Sequence, residues 1–154
     1  MDLLTQGLLG ASVALSAAAN RETRVAAAVG AVAGLLPDVD VLITSRTDPL
    51  LFLDFHRHYT HALIAVPVVA LLACLVAWPF ARKRLGFARI YLYAFLGCAF
   101  AGALDACTSY GTHLFWPFTD QAIALGIVSI VDPVVTLLLA IGLLFGLRNK
   151  WRWP

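Results

Sequence analysis

Five apolar runs, at 3–19, 25–36, 62–80, 87–104 and 127–147, are separated by short polar stretches. This spacing constrains the fold more than any single motif. A helix needs about 20 residues, each rising about 1.5 Å, to cross roughly 30 Å of hydrocarbon. The third and fifth runs meet that requirement, and the first and fourth nearly do. The second is short: even counted from Arg21, it gives about 24 Å of helix before Pro37. With 61% hydrophobic and 13% charged residues, a chain of 154 residues has too little polar surface for a soluble domain. The expected fold class is all-α, a single membrane-embedded helical domain at 1–154 with about five transmembrane helices. Asp48-Pro49 followed by Leu50-Leu51-Phe52-Leu53 predicts a short interfacial helix. An irregular interfacial loop is expected at 111–126.

The first run has the length of a secretory signal and ends in Ala17-Ala18-Ala19. Only Asp2 precedes it, so the positive flank is missing, and further membrane runs follow. It reads as a retained helix. Cys74, Cys98 and Cys107 show no metal or redox spacing and read as small apolar residues.

If all five runs cross, Arg21, Arg24, Arg82, Lys83, Arg84, Arg89, Arg148, Lys150 and Arg152 fall on one side. Only Arg46 and Arg57 fall on the other. The positive-inside rule then places the N-terminus outside and the C-terminus in the cytoplasm. All four histidines and every acid except Glu22 map to the outer side, which suggests one functional face. A second run that failed to cross would break this arrangement.

That face holds two dense clusters, Pro37-Asp38-Val39-Asp40 and His56-Arg57-His58-Tyr59-Thr60-His61. Thr60 reads as the N-cap of the third helix, with His61 in its first turn and His56 in the preceding loop. Imidazoles from a loop and a helix start suit Zn²⁺ or another divalent metal, though interfacial histidines without a ligand have the same spacing. In an extended stretch, Asp38 and Asp40 would point the same way and could bind a metal or hold a ligating histidine. They could also simply solvate a turn. Asp105 ends an apolar run, where an acid is costly unless it is functional or at headgroup level. Thr108 lies three residues on, along the same helical face. Asp132-Pro133 reads as a helix start. Gln6 could bind a ligand or a neighbouring helix, and Arg57 a phosphate, a headgroup or Asp54. Gly30 and Gly34 have the spacing of close helix packing.

Several stretches together resemble the membrane-bound metal-dependent hydrolase family, the YdjM-like group. They are Met1-Asp2-Leu3-Leu4-Thr5-Gln6, Gly34-Leu35-Leu36-Pro37-Asp38-Val39-Asp40, His56-Arg57 with Thr60-His61, 104–112, 116–120 and Val131-Asp132-Pro133. The resemblance covers nearly the whole chain in order. It implies a multi-pass protein of the prokaryotic inner membrane, in a short form without the soluble C-terminal region of some relatives. It also implies a divalent metal, Zn²⁺ first among them. The chain departs from the pattern at Gln6, where many members carry histidine, at His58, where glycine is common, and at Ala62, where serine is common.

The expected metal ligands are Asp40, His56, His61 and Asp105, with Asp38 as a further ligand or the support of one. Asp38 would take a proton from water, Arg57 would steady a phosphoryl oxygen, and Thr108, His58 and Gln6 would orient water or substrate. The expected activity is hydrolysis of a phosphate ester or phosphodiester of a lipid-like substrate at the outer face. Membrane lipid is an expected partner and nucleic acid is not; the sequence sets no oligomeric state. A proton- or cation-coupled transporter is the main alternative, although such sites gather at the midplane between repeats. A non-catalytic, metal-stabilised scaffold is a third reading.

Overall fold

The computed structural model describes residues 1–42 and 59–149. Its helices are α1 (Leu3–Ser16), α2 (Thr23–Leu35), α3 (Val66–Ala81), α4 (Phe87–Ala99), α5 (Ala101–Ala106) and α6 (Pro133–Asn149), with 3₁₀ turns at Pro37–Leu42 and Leu63–Ala65. Among the described residues the extended pairing is limited to an isolated bridge between Thr112 and Ile123, so the fold is all-α. The expected interfacial helix at 48–53 lies outside the described residues, as do His56, Arg57 and His58.

Glycine sets the distances between the central helices. α1, α2 and α4 meet where Gly10, Gly30 and Gly97 face one another. A Cβ on Gly10 would stand 2.2 Å from the Gly30 carbonyl oxygen, and one on Gly97 would stand 2.6 Å from the same atom. Gly34, one turn after Gly30, brings α2 against the Gln6 carbonyl, where a Cβ would approach to 2.4 Å. No side chain fits at these points without pushing backbones apart, and that closeness is what holds helices together where lipid replaces water.

The outer surface inverts the pattern of a soluble protein. Leu75 of α3 is 52% exposed and Leu138 of α6 is 65% exposed, with Val68, Leu72, Leu137 and Ile141 similarly outward. Thr5, Gln6, Asp105, Thr108 and Thr112 are fully buried instead. Water would penalise so much exposed aliphatic surface; lipid does not. The segments Leu63–Ala81 and Phe87–Ala106 are long and apolar enough to cross a membrane, while Leu3–Ser16 and Pro133–Arg148 are apolar but shorter.

Successive spans alternate in direction, with α5 continuing α4. Gly10 meets Gly30 and Gln6 meets Gly34, so α1 and α2 are antiparallel. Trp78 stacks edge-on with Phe87 at 5.6 Å, at the turn between α3 and α4. α6 runs beside α1, with the Thr5 and Thr136 hydroxyls 2.6 Å apart at one end and Gly146 close to Leu15 at the other. One end of the bundle therefore carries Asp2, Asp38, Asp40, His61, Asp105 and Asp132, and the other carries Arg21, Arg24, Arg82, Lys83, Arg84 and Arg148.

One helix start agrees with the sequence expectation at Asp132-Pro133, and another differs. The fifth apolar run does not become helical until Pro133. The Asp132 carboxylate accepts from the Val134 and Val135 amides at 3.0 and 3.1 Å, and proline at the first helical position fixes the start there. The residues before it do different work: the Leu125, Ile127 and Val128 amides donate to the Ala106 and Cys107 carbonyls at 2.9, 2.9 and 3.1 Å, and Gly126 donates to Thr108 at 3.3 Å. They satisfy the open carbonyls at the C-terminus of α5, which a low-dielectric setting would otherwise leave orphaned. The third run starts at Leu63 behind Ala62, with no side-chain cap, so Thr60 does not cap it.

Candidate metal centre

Two elements converge on His61. The turn Pro37–Leu42 follows α2 directly and carries Asp38 and Asp40. Because it is 3₁₀ rather than extended, residues two apart project about 240° from one another, and the two carboxylates diverge. Asp38 Oδ1 comes within 3.3 Å of His61 Nε2. Asp40 Oδ2 lies on the other side of the ring, 3.9 Å from Nδ1. Asp105, from α5, places Oδ2 2.9 Å from Nε2. The four side chains are all buried.

Gly102, three residues before Asp105, makes this approach possible. A Cβ there would stand 2.4 Å from the His61 carbonyl oxygen and 2.9 Å from Leu114 Cδ2. Thr108 braces the same turn, its hydroxyl donating to the Asp105 carbonyl oxygen at 2.7 Å. The Met1 amino group donates to Asp105 Oδ1.

Hydrogen bonding dictates the protonation of the ring. Thr60 Oγ1 lies 2.6 Å from Asp40 Oδ2, and a carboxylate only accepts, so the threonine hydroxyl is the donor. Its single proton is then committed. The 3.0 Å contact between Thr60 Oγ1 and His61 Nδ1 must be donated by an Nδ1–H. In the neutral ring, Nε2 therefore presents a lone pair to the carboxylates of Asp38 and Asp105. That arrangement is stable only with a cation between them, either a proton on Nε2 or a metal ion. Asp38 Oδ2 is buried and has no hydrogen-bond partner among the described residues, which leaves further negative charge to be balanced.

One ligand atom from each of Asp38, His61 and Asp105 lies within 4.8 Å of the other two. A tetrahedral ion with bonds of about 2.0–2.2 Å separates its donors by roughly 3.3–3.6 Å. Two carboxylate oxygens and an imidazole nitrogen suit a divalent transition metal. The residues fit the group.

A profile of the YdjM inner membrane protein family matches residues 1–154. The chain belongs to that family. Among curated proteins it is similar to the uncharacterized protein YfhP of Bacillus subtilis (strain 168), at 25% identity over 99 residues, which is 64% of this chain and 30% of YfhP. The chain thus matches less than a third of that relative's length. No solved structure matches it.

The remaining predicted site residues of this YdjM-family chain take varied places. Gln6 is buried on α1, and its Nε2 donates to the Ala101 carbonyl, one turn before Asp105, at 3.3 Å. Its Oε1 has no hydrogen-bond partner among the described residues. Thr108 faces main chain, as described above. His56, Arg57 and His58 lie outside the described residues. Sequence reasoning missed Thr60 as the link between Asp40 and His61, Gly102 as the gap that admits His61, and Asp2 as the cap of α1. The Asp2 cap had a visible signal: its carboxylate accepts from the Thr5 amide at 3.0 Å and the Thr5 hydroxyl at 2.7 Å, a short-range pattern read only for its lack of positive charge. Gly102 had none, because its neighbour is forty-one residues away in the chain.

Proposed function

We propose that this YdjM-family chain is a metal-dependent membrane hydrolase that cleaves a phosphate ester or phosphodiester of a lipid-like substrate. The observation that supports it is the convergence of Asp38, His61 and Asp105 on one buried point, with His61 Nε2 3.3 Å from Asp38 Oδ1 and 2.9 Å from Asp105 Oδ2. Asp38, His61 and Asp105 would hold the ion, and Zn²⁺ is the first choice for two oxygens and a nitrogen. A divalent metal bound there supplies Lewis acidity and acidifies water near neutral pH.

The chain's own residues carry the rest. The Asp40–Thr60 pair holds the His61 ring in one tautomer and one orientation. Asp38 Oδ2, which has no hydrogen-bond partner among the described residues, takes a proton from the attacking water as its oxygen adds to phosphorus, and passes it to the departing ester oxygen. Arg57 would steady the phosphoryl oxygens, and His56 and His58 would supply a further ligand or orient substrate. His56 stands five residues before His61, a reach of up to about 17 Å of extended chain. Gln6 and Thr108 would orient water or substrate. Five passes through the inner membrane, N-terminus outside, would set this centre just below the outer face, within reach of an amphiphile's headgroup.

Purified protein would be assayed for metal by elemental analysis and for turnover on phospholipids and polyprenyl phosphates. One ion per chain, lost together with hydrolysis in Asp105→Ala, is the expected result. Ion flux into liposomes without any hydrolysis would overturn the reading in favour of a transporter. A full metal complement with no turnover on any phosphorylated lipid would favour a scaffold.

A further inference from the structure

The basic end of the bundle carries a second feature that the metal centre does not use. α2 and α3 each pack more extensively on α4 than on one another, and a groove of about 520 Å³ lies between them. Val25, Ala28 and Val32 form one wall, and Val76, Ala77 and Phe80 form the other. The α2 wall alone runs about 10 Å along the helix. Phe80 is 85% exposed, so the trough is bordered by apolar surface that nothing in the chain covers among the described residues.

Three cations stand at the mouth of this groove: Arg24 in the first turn of α2, and Lys83 and Arg84 just past the end of α3. All three are exposed, and none forms an ion pair among the described residues. The acid closest in sequence, Glu22, is already engaged by the Arg89 guanidinium at 3.2 Å and by the Tyr93 hydroxyl. The groove thus joins an apolar trough to a cluster of positive charge with no anion assigned to it.

We propose that this groove holds one anionic phospholipid, with an acyl chain along the Val/Ala/Phe walls and the headgroup phosphate on Arg24, Lys83 and Arg84. Charge decides between occupants. A zwitterionic lipid gains little from three unneutralised cations, and a free phosphate makes no use of the trough. A second copy docked groove to groove would bring its own three cations against these three. Basic residues beside an apolar inter-helix groove are the combination that recognises an anionic headgroup and its chain together. The site is separated from the metal centre by the length of α3, about 24 Å, so the bound lipid is not the substrate proposed there.

The test uses the full chain in mild detergent, with native mass spectrometry and thermal unfolding read in parallel. Phosphatidylglycerol should remain bound and raise the unfolding temperature; phosphatidylcholine should do neither, and millimolar inorganic phosphate should not displace the lipid. The triple variant Arg24→Gln, Lys83→Gln, Arg84→Gln should weaken phosphatidylglycerol binding about tenfold or more. Ala28→Phe fills the trough without changing charge and should weaken it comparably, whereas Leu72→Phe, exposed on α3 outside the groove, should not. Metal content equal to wild type marks each variant as folded. Equal retention of the two lipids by wild type, displacement by phosphate, undiminished binding in either groove variant, or a dimer abolished by Ala28→Phe would each overturn the proposal. The wild-type lipid comparison decides even if the variants do not fold.

Discussion

At one end of the bundle Asp38, His61 and Asp105 are buried within 4.8 Å of one another, while at the other Arg24, Lys83 and Arg84 stand exposed without ion pairs among the described residues. Both ends concentrate charge of one sign, yet they differ in what the surroundings demand. Buried carboxylates facing an imidazole nitrogen need positive charge, which a proton, the Met1 amino group or a metal ion can supply, so that end is built around charge balance. Exposed guanidinium and ammonium groups are already solvated and require nothing. At that end the adjoining apolar groove calls for an occupant, and the three cations select an anionic one. Removing a group from the buried end should therefore have large, local effects on metal, and removing one from the basic end should leave metal untouched.

The largest effect is expected from His61→Ala, which should abolish metal binding and reduce lipid phosphoester hydrolysis by more than about 100-fold. In wild type, a chelator should lower the unfolding temperature; in His61→Ala it should not, because no ion remains to be removed. A chelator-sensitive His61→Ala protein would break the contrast between the two ends.

Next in size is Gly102→Ala. Its Cβ would meet the His61 carbonyl oxygen at 2.4 Å, so α5 and the His61 turn must separate, at a cost of about 1–3 kcal/mol together with weakened metal binding. Gly142→Ala on α6 has nothing within 4 Å and should stabilise by up to about 1 kcal/mol through helix propensity. Unfolding midpoints of the two variants moving in the same direction would refute the close-approach account.

Thr60→Val keeps the shape and removes the hydroxyl between Asp40 and Nδ1. Metal affinity measured by competition with a chromogenic chelator should fall about 10–100-fold, and Thr60→Ser should restore it. Unchanged affinity in the valine variant would mean the ring is oriented by something else. The smallest effect belongs to the basic end. Tyr93→Phe removes the hydroxyl that donates to Glu22 and should cost about 1 kcal/mol of stability, with metal content and turnover as in wild type. Loss of metal in that variant would show that the ends are coupled.

Much of the architecture was legible because it rests on short-range signals. The apolar runs gave the helices, Asp132-Pro133 gave the start of α6, and Gly30 and Gly34 gave the face by which α2 packs on α1. The convergence of Asp38, His61 and Asp105 was half legible, since three costly polar groups at the same ends of apolar runs must meet or be solvated. Which carboxylate would face which ring nitrogen was not legible. It depends on Pro37–Leu42 being 3₁₀, a difference of tens of degrees per residue that the residue types do not encode locally. The fifth apolar run begins at 127, six residues before the helix, because the Ile127 and Val128 amides are engaged by the Cys107 carbonyl at the end of α5.

By itself the sequence determined that this chain is helical, that its apolar surface suits lipid, and that its acids and bases separate to opposite ends. Those properties follow from composition and periodicity, which act residue by residue. Tertiary structure alone decided that His61 offers Nε2 to Asp38 and Asp105 while Thr60 and Asp40 hold Nδ1, and that α2 and α3 leave a groove beneath three cations. Such features depend on backbones from distant parts of the chain approaching to within ångströms. Glycines such as Gly102 permit that approach, but no local pattern announces it.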